Sequence, residues 1–158
     1  METSRVQLAL NVSDIETATR FYTDMFGVGP AKQRAGYANF EIADPPLKLV
    51  LFEHPQAVSP LNHLGVEVRS SSDVVAAAER FAAAGLEHRM SESDRCCHAV
   101  QDKVWVDAPD VPLGAWEVYA VLADDTGADA GTVQSECCST APAEDATPCC
   151  AGPREDEG

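Results

Sequence analysis

Val6-Gln7-Leu8-Ala9-Leu10-Asn11-Val12 alternates apolar residues with polar or small ones, and Asn62-His63-Leu64-Gly65-Val66-Glu67-Val68 repeats the pattern 56 residues later. Strict alternation of this kind marks a strand buried on one face. In the first copy Ser13 or Asp14 stands at a helix cap. Ile15, Ala18, Phe21, Tyr22 and Met25 follow at helical spacing, and Gly27 is a helix stop. In the second copy Ser72 or Asp73 is the cap, Val74, Val75, Ala78, Phe81 and Ala82 lie on the helix, and Gly85 stops it. Strand-like segments complete each copy: 37–42 and 48–53 in the first, with 32–34 as an extra strand, then 87–90, 103–106 and 115–122 in the second. The chain therefore reads as an α+β protein made of two tandem strand-helix-strand-strand-strand modules, at about residues 4–56 and 60–122 of one domain spanning 1–122.

Length and charge agree with one body plus a tail. The chain has 158 residues, 45% hydrophobic and 23% charged, enough for one soluble core. Its formal net charge is -15, of which -8 lies in residues 123–158. Those residues contain no Leu, Ile, Phe, Tyr or Trp, so they read as an acidic tail that cannot bury enough apolar area to order itself. An excess of acid argues against nucleic acid, which is bound through clustered Lys and Arg, and against an anionic membrane surface. No apolar run reaches the ~18–20 residues of a membrane span. Met1-Glu2-Thr3-Ser4-Arg5 runs straight into the first strand with no signal core, which predicts a cytoplasmic protein.

Successive strand side chains point to opposite faces. Val6, Leu8, Leu10 and Val12 share the face that packs under a helix, and Gln7, Ala9 and Asn11 take the other. In the matching strand Leu64, Val66 and Val68 pack, while His63, Gly65 and Glu67 face away. In the last strand Glu117 and Tyr119 share the set opposite to Trp116, Val118 and Ala120. A sheet curved about these faces lets Gln7, His63 and Glu117 project into one cavity, with small Ala9 and Gly65 leaving room. Singly, each is an ordinary hydrogen-bonded or solvated strand residue. Together, at duplicated positions on one face, they read as a metal site. Tyr119 faces the same cavity, where packing is its ordinary role, and Trp105 and Phe40 read as wall or core.

The six cysteines form three adjacent pairs, Cys96/Cys97, Cys137/Cys138 and Cys149/Cys150. Without a secretory leader a disulfide framework is not expected, and neighbouring cysteines bridge each other only with strain. Paired thiols in a reducing compartment suit soft ions. In an extended strand Cys96 and Cys97 would point apart, so they can chelate one ion only from a turn or bulge. Ser91-Glu92-Ser93-Asp94-Arg95 is polar enough to be that loop, and Arg95 and His98 flank the pair where they would favour thiolate.

Three stretches resemble the vicinal oxygen chelate superfamily, the glyoxalase, bleomycin-resistance and extradiol-dioxygenase fold. They are Leu10-Asn11-Val12-Ser13-Asp14 leading to Phe21-Tyr22 and Phe26-Gly27; Asn62-His63-Leu64-Gly65-Val66; and Lys103-Val104-Trp105-Val106-Asp107 with Pro109-Asp110 and Trp116-Glu117-Val118-Tyr119. The resemblance covers about residues 4–122. Within the superfamily the chain is most similar to the non-haem iron C–As lyases, which group with cadmium-induced proteins, and Cys96-Cys97 carries that narrower likeness. The resemblance implies a curved mixed sheet of two βαβββ modules around a metal cavity, with dimers frequent in the class. It implies Fe(II) bound by Gln7, His63 and Glu117, O2 as co-substrate, and Cys96 and Cys97 holding a trivalent organoarsenical such as methylarsenite or an aromatic arsenical. The products would be arsenite and an oxidised carbon fragment. Gln7 stands where the superfamily usually has His, which makes one ligand a neutral amide. The turn Pro109-Asp110-Val111-Pro112-Leu113-Gly114 is longer than the superfamily's tight Pro-Asp-Gly turn.

Three rival functions fit parts of the same sequence. A non-enzymatic cadmium or arsenite binder would use all three thiol pairs, a glyoxalase-like or ring-cleaving enzyme would not need Cys96 or Cys97, and a drug-sequestering domain would need no metal.

Overall fold

The alternating apolar faces fold as their spacing requires. The computed structural model describes residues 4–96, 98–109 and 115–124. The first module runs β1 (Arg5–Val12), α1 (Ile15–Phe26), β2 (Lys32–Arg34), β3 (Tyr37–Ile42) and β4 (Leu47–Glu53). The second runs β5 (Leu61–Glu67), α2 (Ser71–Ala83), β6 (His88–Cys96), β7 (Ala99–Asp107) and β8 (Ala115–Asp124). The eight strands form one mixed sheet in the order β2-β3-β4-β1-β5-β8-β7-β6. In each module the opening strand pairs parallel with the closing one, β1 with β4 and β5 with β8, and the modules join through antiparallel β1 and β5.

Both helices cover the same side of the sheet. Leu8, Leu10 and Val12 pack with Ala38, Phe40, Ile42, Leu49 and Leu51 under Ile15, Ala18, Tyr22 and Phe26 of α1. Val66, Val68, Val104, Val118 and Ala120 pack under Val74, Ala77, Ala78 and Phe81 of α2. Asp14 caps α1 by accepting the Thr17 N–H at 2.7 Å, and Gly27 closes it with φ 69°, a conformation glycine adopts without penalty. The cap of α2 is Ser70, not Ser72 or Asp73. Its extended backbone and a side chain that accepts the Asp73 N–H start the helix two to three residues early. Ala84 closes α2 and Gly85 (φ 70°) turns the chain away.

The second module departs from simple alternation at two places. Ser91 to Arg95 is not a loop but part of β6, which runs on to Cys96. The pairing of β6 with β7 slips there: Ser91 stands opposite Lys103 and Asp94 opposite Gln101, so Glu92 and Ser93 together face Asp102. That is a β-bulge, and Ser93 takes φ 52° within it. A second irregularity lies between β7 and β8, where Gln101 pairs with Val121 but Val100 with Ala123. Bulges bend strands, and these two lie beside each other near the β6–β7 turn.

Phe40 is fully buried beneath α1. Phe40→Ala should lower the unfolding free energy by about 3–5 kcal/mol in a denaturant titration.

Candidate metal centre

The face not covered by helices carries an apolar cluster of Ala9, Tyr37, Val50 and Phe52, and a largely polar row of neighbours crosses it: Glu41, Lys48, Gln7, Gly65, Glu117, Trp105 and Arg89 lie opposite one another on successive strands. His63 lies one step along, opposite Ala9. Duplication makes Gln7 and His63 equivalent, one on each opening strand. It likewise makes Val50, beside Ala9, the counterpart of Glu117, beside Gly65. Of these four symmetry-related inward positions, three carry donors and Val50 carries none.

The three donors meet. Gln7 Nε2 donates to Glu117 Oε1 at 2.7 Å and approaches His63 Nε2 at 3.0 Å, and His63 Nε2 lies 3.1 Å from Glu117 Oε1. Gln7, His63 and Glu117 are each at most 5% exposed. Among the described residues no three His, Cys, Asp or Glu side chains converge, so the cluster is completed by an amide.

A chain of hydrogen bonds fixes which nitrogen of His63 faces the cluster. The Ser59 carbonyl can only accept, so Asn11 Nδ2 donates to it at 3.0 Å and Asn11 Oδ1 accepts from Asn62 Nδ2 at 2.8 Å. That leaves Asn62 Oδ1 to accept from His63 Nδ1 at 2.7 Å. In the neutral ring Nε2 then holds a lone pair, pointed at a carboxylate oxygen. Two such acceptors in contact require a positive charge between them, a proton or a metal ion.

Glu117 is equipped to stay ionised. Burial alone pushes its carboxyl up, but the charges of His63 and Lys103 and the hydrogen bonds from His63 and Gln7 outweigh burial and hold it at about 2. Its Oε2 has no hydrogen-bond partner and sits 3.7 Å from Lys103 Nζ, which also pairs with Asp94 at 3.2 Å. Lys103 is fully buried, with its ammonium 5.7 Å from the centre of the Trp105 ring. Tyr119 donates its hydroxyl to Gln7 Oε1. Burial, reinforced by Glu67 and Glu117, pushes that phenol well up, so it stays a neutral donor. Beneath Tyr119, Glu67 pairs with Arg5 at 2.7 Å and Lys48 at 3.4 Å. A nitrogen, a carboxylate oxygen and an amide, held by outer partners and with one side left to Val50, fit a divalent transition metal with open coordination positions.

A cavity of about 260 Å³ opens over the triad, lined also by Tyr37, Asn39, Val50 and Phe52. Tyr37 and Phe52 make its wall aromatic near the triad, with Phe52 6.5 Å from the His63 ring; Trp105, outside the lining, lies 5.6 Å from the same ring. The β6–β7 turn reaches the rim. Lys32 of β2 donates to the His98 carbonyl at 3.1 Å and pairs with Asp124, and the His98 ring lies 4.7 Å from Tyr37. Cys96 pairs across the turn with Ala99, a residue of the cavity wall. It is buried and forms part of a disulfide, where the sequence suggested a free thiol. Cys97 and the pairs Cys137/Cys138 and Cys149/Cys150 lie outside the described residues.

The sequence reading overlooked Lys103, Asn62 and Asn11. Lys103 had a signal, since it shares the inward phase of Trp105; Asn62 had only its place next to His63.

Known proteins place this geometry in a family. A family model described as the Glyoxalase/Bleomycin resistance protein/Dioxygenase superfamily matches residues 5–110. The chain is 57% identical over 121 residues to the cadmium-induced protein CadI of Mycobacterium bovis, covering 77% of this chain and 78% of the relative. It is 52% identical over 138 residues to the trivalent organoarsenical cleaving enzyme of Thermomonospora curvata, covering 86% of this chain and 89% of that one. The crystal structure of the Mn(II)-bound glyoxalase from Novosphingobium aromaticivorans superposes with a TM-score of 0.54 at 21% identity, over 77% of this chain and 41% of that one.

Two substitutions test the centre. A Cβ on Gly65 would sit 3.0 Å from Glu117 Cγ and 3.3 Å from its carbonyl oxygen, so Gly65→Ala requires Glu117 to give by a few tenths of an ångström in a tightly held cluster. Asn62→Leu removes the partner of His63 Nδ1. Each should weaken Co(II) binding about ten- to a hundredfold in an anaerobic absorbance titration.

Proposed function

Because the chain belongs to the glyoxalase/bleomycin resistance protein/dioxygenase superfamily and has its vicinal oxygen chelate fold, we propose that it cleaves the carbon–arsenic bond of trivalent organoarsenicals in an Fe(II)- and O2-dependent reaction. The observation that carries this reading is the joining of two unlike sites in one cavity. A buried nitrogen–carboxylate–amide triad forms the floor, and the turn after Cys96 stands at the rim. The Thermomonospora relative named for organoarsenical cleavage matches along most of the chain.

Gln7, His63 and Glu117 would hold the iron. Iron bound there supplies the electron transfer that lets O2 react beside the arsenic–carbon bond. The protein's own groups do the rest. Cys96 and Cys97, once reduced, replace the two hydroxyls of the arsenical: two As–S bonds form and two waters leave with the thiol protons. Lys103 keeps Glu117 Oε2 turned to one side. Asn62 holds His63 with Nε2 inward. Tyr119 holds one end of the Gln7 amide, and a half-turn of that amide offers its oxygen to a cation while Nε2 bonds the tyrosine oxygen. Tyr37, Val50 and Phe52, which line the cavity, would shield the arsenic–carbon bond from bulk water. The overall reaction balances without an external reductant: one methylarsenite and one O2 contain the atoms of one arsenite and one formaldehyde, with four electrons passing from carbon to oxygen. Among the described residues no helix is long and apolar enough to cross a membrane, and a cytoplasmic setting would keep the thiols reduced.

A cadmium or arsenite binder without turnover is the second reading, favoured by the cadmium-induced relative and the repeated thiol pairs. One assay separates the two. Reduced protein is loaded with Fe(II) under nitrogen, then given methylarsenite and air. Arsenite and formaldehyde should appear in equal amounts, and unchanged methylarsenite would reject cleavage. His63→Ala and Glu117→Ala should abolish turnover while the protein still captures the arsenical.

A further inference from the structure

We propose that Asp102, on the helix-covered face of β7, is a positioning residue for the arsenic-binding pair, because it holds the β6 bulge that turns Cys96 toward the cavity. This rests on the reading of Cys96 and Cys97 as that pair.

Strand phase decides which way Cys96 points. Before the bulge, Arg89 and Ser91 stand opposite Trp105 and Lys103, which face the triad. Continued alternation would bring Ser93 and Arg95 inward and send Cys96 to the helix side. The extra residue reverses this. Asp94 lands opposite Gln101 and reaches Lys103 at 3.2 Å, and Cys96, two residues on, lands opposite Ala99; Gln101 and Ala99 both line the cavity. One inserted residue thus decides which side of the sheet carries the sulfur.

The bulge has a cost and a visible support. Ser93 at φ 52° is in the left-handed region that a residue with a Cβ avoids. Asp102 is the residue the bulge faces. Its Oδ1 accepts the Ser93 N–H at 2.7 Å, and its Oδ2 accepts the Ser71 hydroxyl at 2.5 Å, at the first residue of α2. One carboxylate thereby ties the bulge to a helix start that the core holds in place. Asp102 does not touch the triad, which lies on the other face.

The test uses full-length, phosphine-reduced protein in which the four cysteines at 137, 138, 149 and 150 are serine. Phenylarsine oxide is the probe, its affinity read by competition with a free dithiol, and Co(II) absorbance reads the metal centre. Asp102→Ala should weaken arsenical capture about tenfold, the weight of a charge-assisted hydrogen bond, with Co(II) affinity unchanged. Asp102→Asn, which can still accept from Ser93, should restore most of it. Adding Ser93→Gly to Asp102→Ala should restore part, since glycine takes the bulge conformation freely. Unaltered capture in Asp102→Ala, a parallel loss of Co(II) binding, or no rescue by either variant would overturn the proposal. If Cys96→Ser leaves capture by the parent intact, the reading of the cysteine pair itself falls, and this proposal with it.

Discussion

The antiparallel pairing of β1 with β5 is the contact on which everything else depends. It sets Gln7 opposite Gly65 and Ala9 opposite His63, so the two modules meet around a local two-fold axis. Parallel pairing of β5 with β8 then brings Glu117 beside Gly65. Residues 110 positions apart in the chain thereby come within 2.7 Å. The approach is possible because the middle of the row is a glycine whose missing side chain would strike Glu117. Burying three polar heads there is costly, since each unsatisfied group forfeits about 1–3 kcal/mol. The surroundings offset that through Asn62, Lys103 and Tyr119.

Strand alternation made the fold and the convergence of Gln7, His63 and Glu117 legible before any coordinates. Leu8, Leu10, Val66 and Val118 went to the helix side and Gln7, His63 and Glu117 to the other, as their spacing required. What stayed hidden has a common cause: a period of two cannot register an inserted residue. The segment from Ser91 to Arg95 looked like a loop because it is polar, yet it is a strand whose bulge exposes its polar side. Hydrogen-bond chains were equally invisible. Asn62 and Asn11 are ordinary strand residues until the Ser59 carbonyl dictates which way both amides point. Lys103 shares the inward phase of Trp105, but alternation alone does not show that it lies between Asp94 and Glu117.

The two halves of the sheet have divided the work. The first module is the more regular, and its inner face supplies Gln7, Tyr37, Val50 and Phe52 as floor and wall. The second carries two of the sheet's register shifts, a third lying between the modules at Ala9 and Leu10, and its tip returns across the trough to touch Lys32 and Tyr37. Lys103 and Asp94 link the triad to β6, because Lys103 reaches the Glu117 carboxylate and Asp94 lies on the strand that ends at Cys96.

Val50 has an evolutionary consequence. It fills the position that the duplication makes equivalent to Glu117, so the number of donors around an ion is set by the side chain at a single codon while the scaffold stays the same. Exchanging Val50 for a carboxylate would add a fourth polar group beside Gln7, His63 and Glu117 without altering any strand.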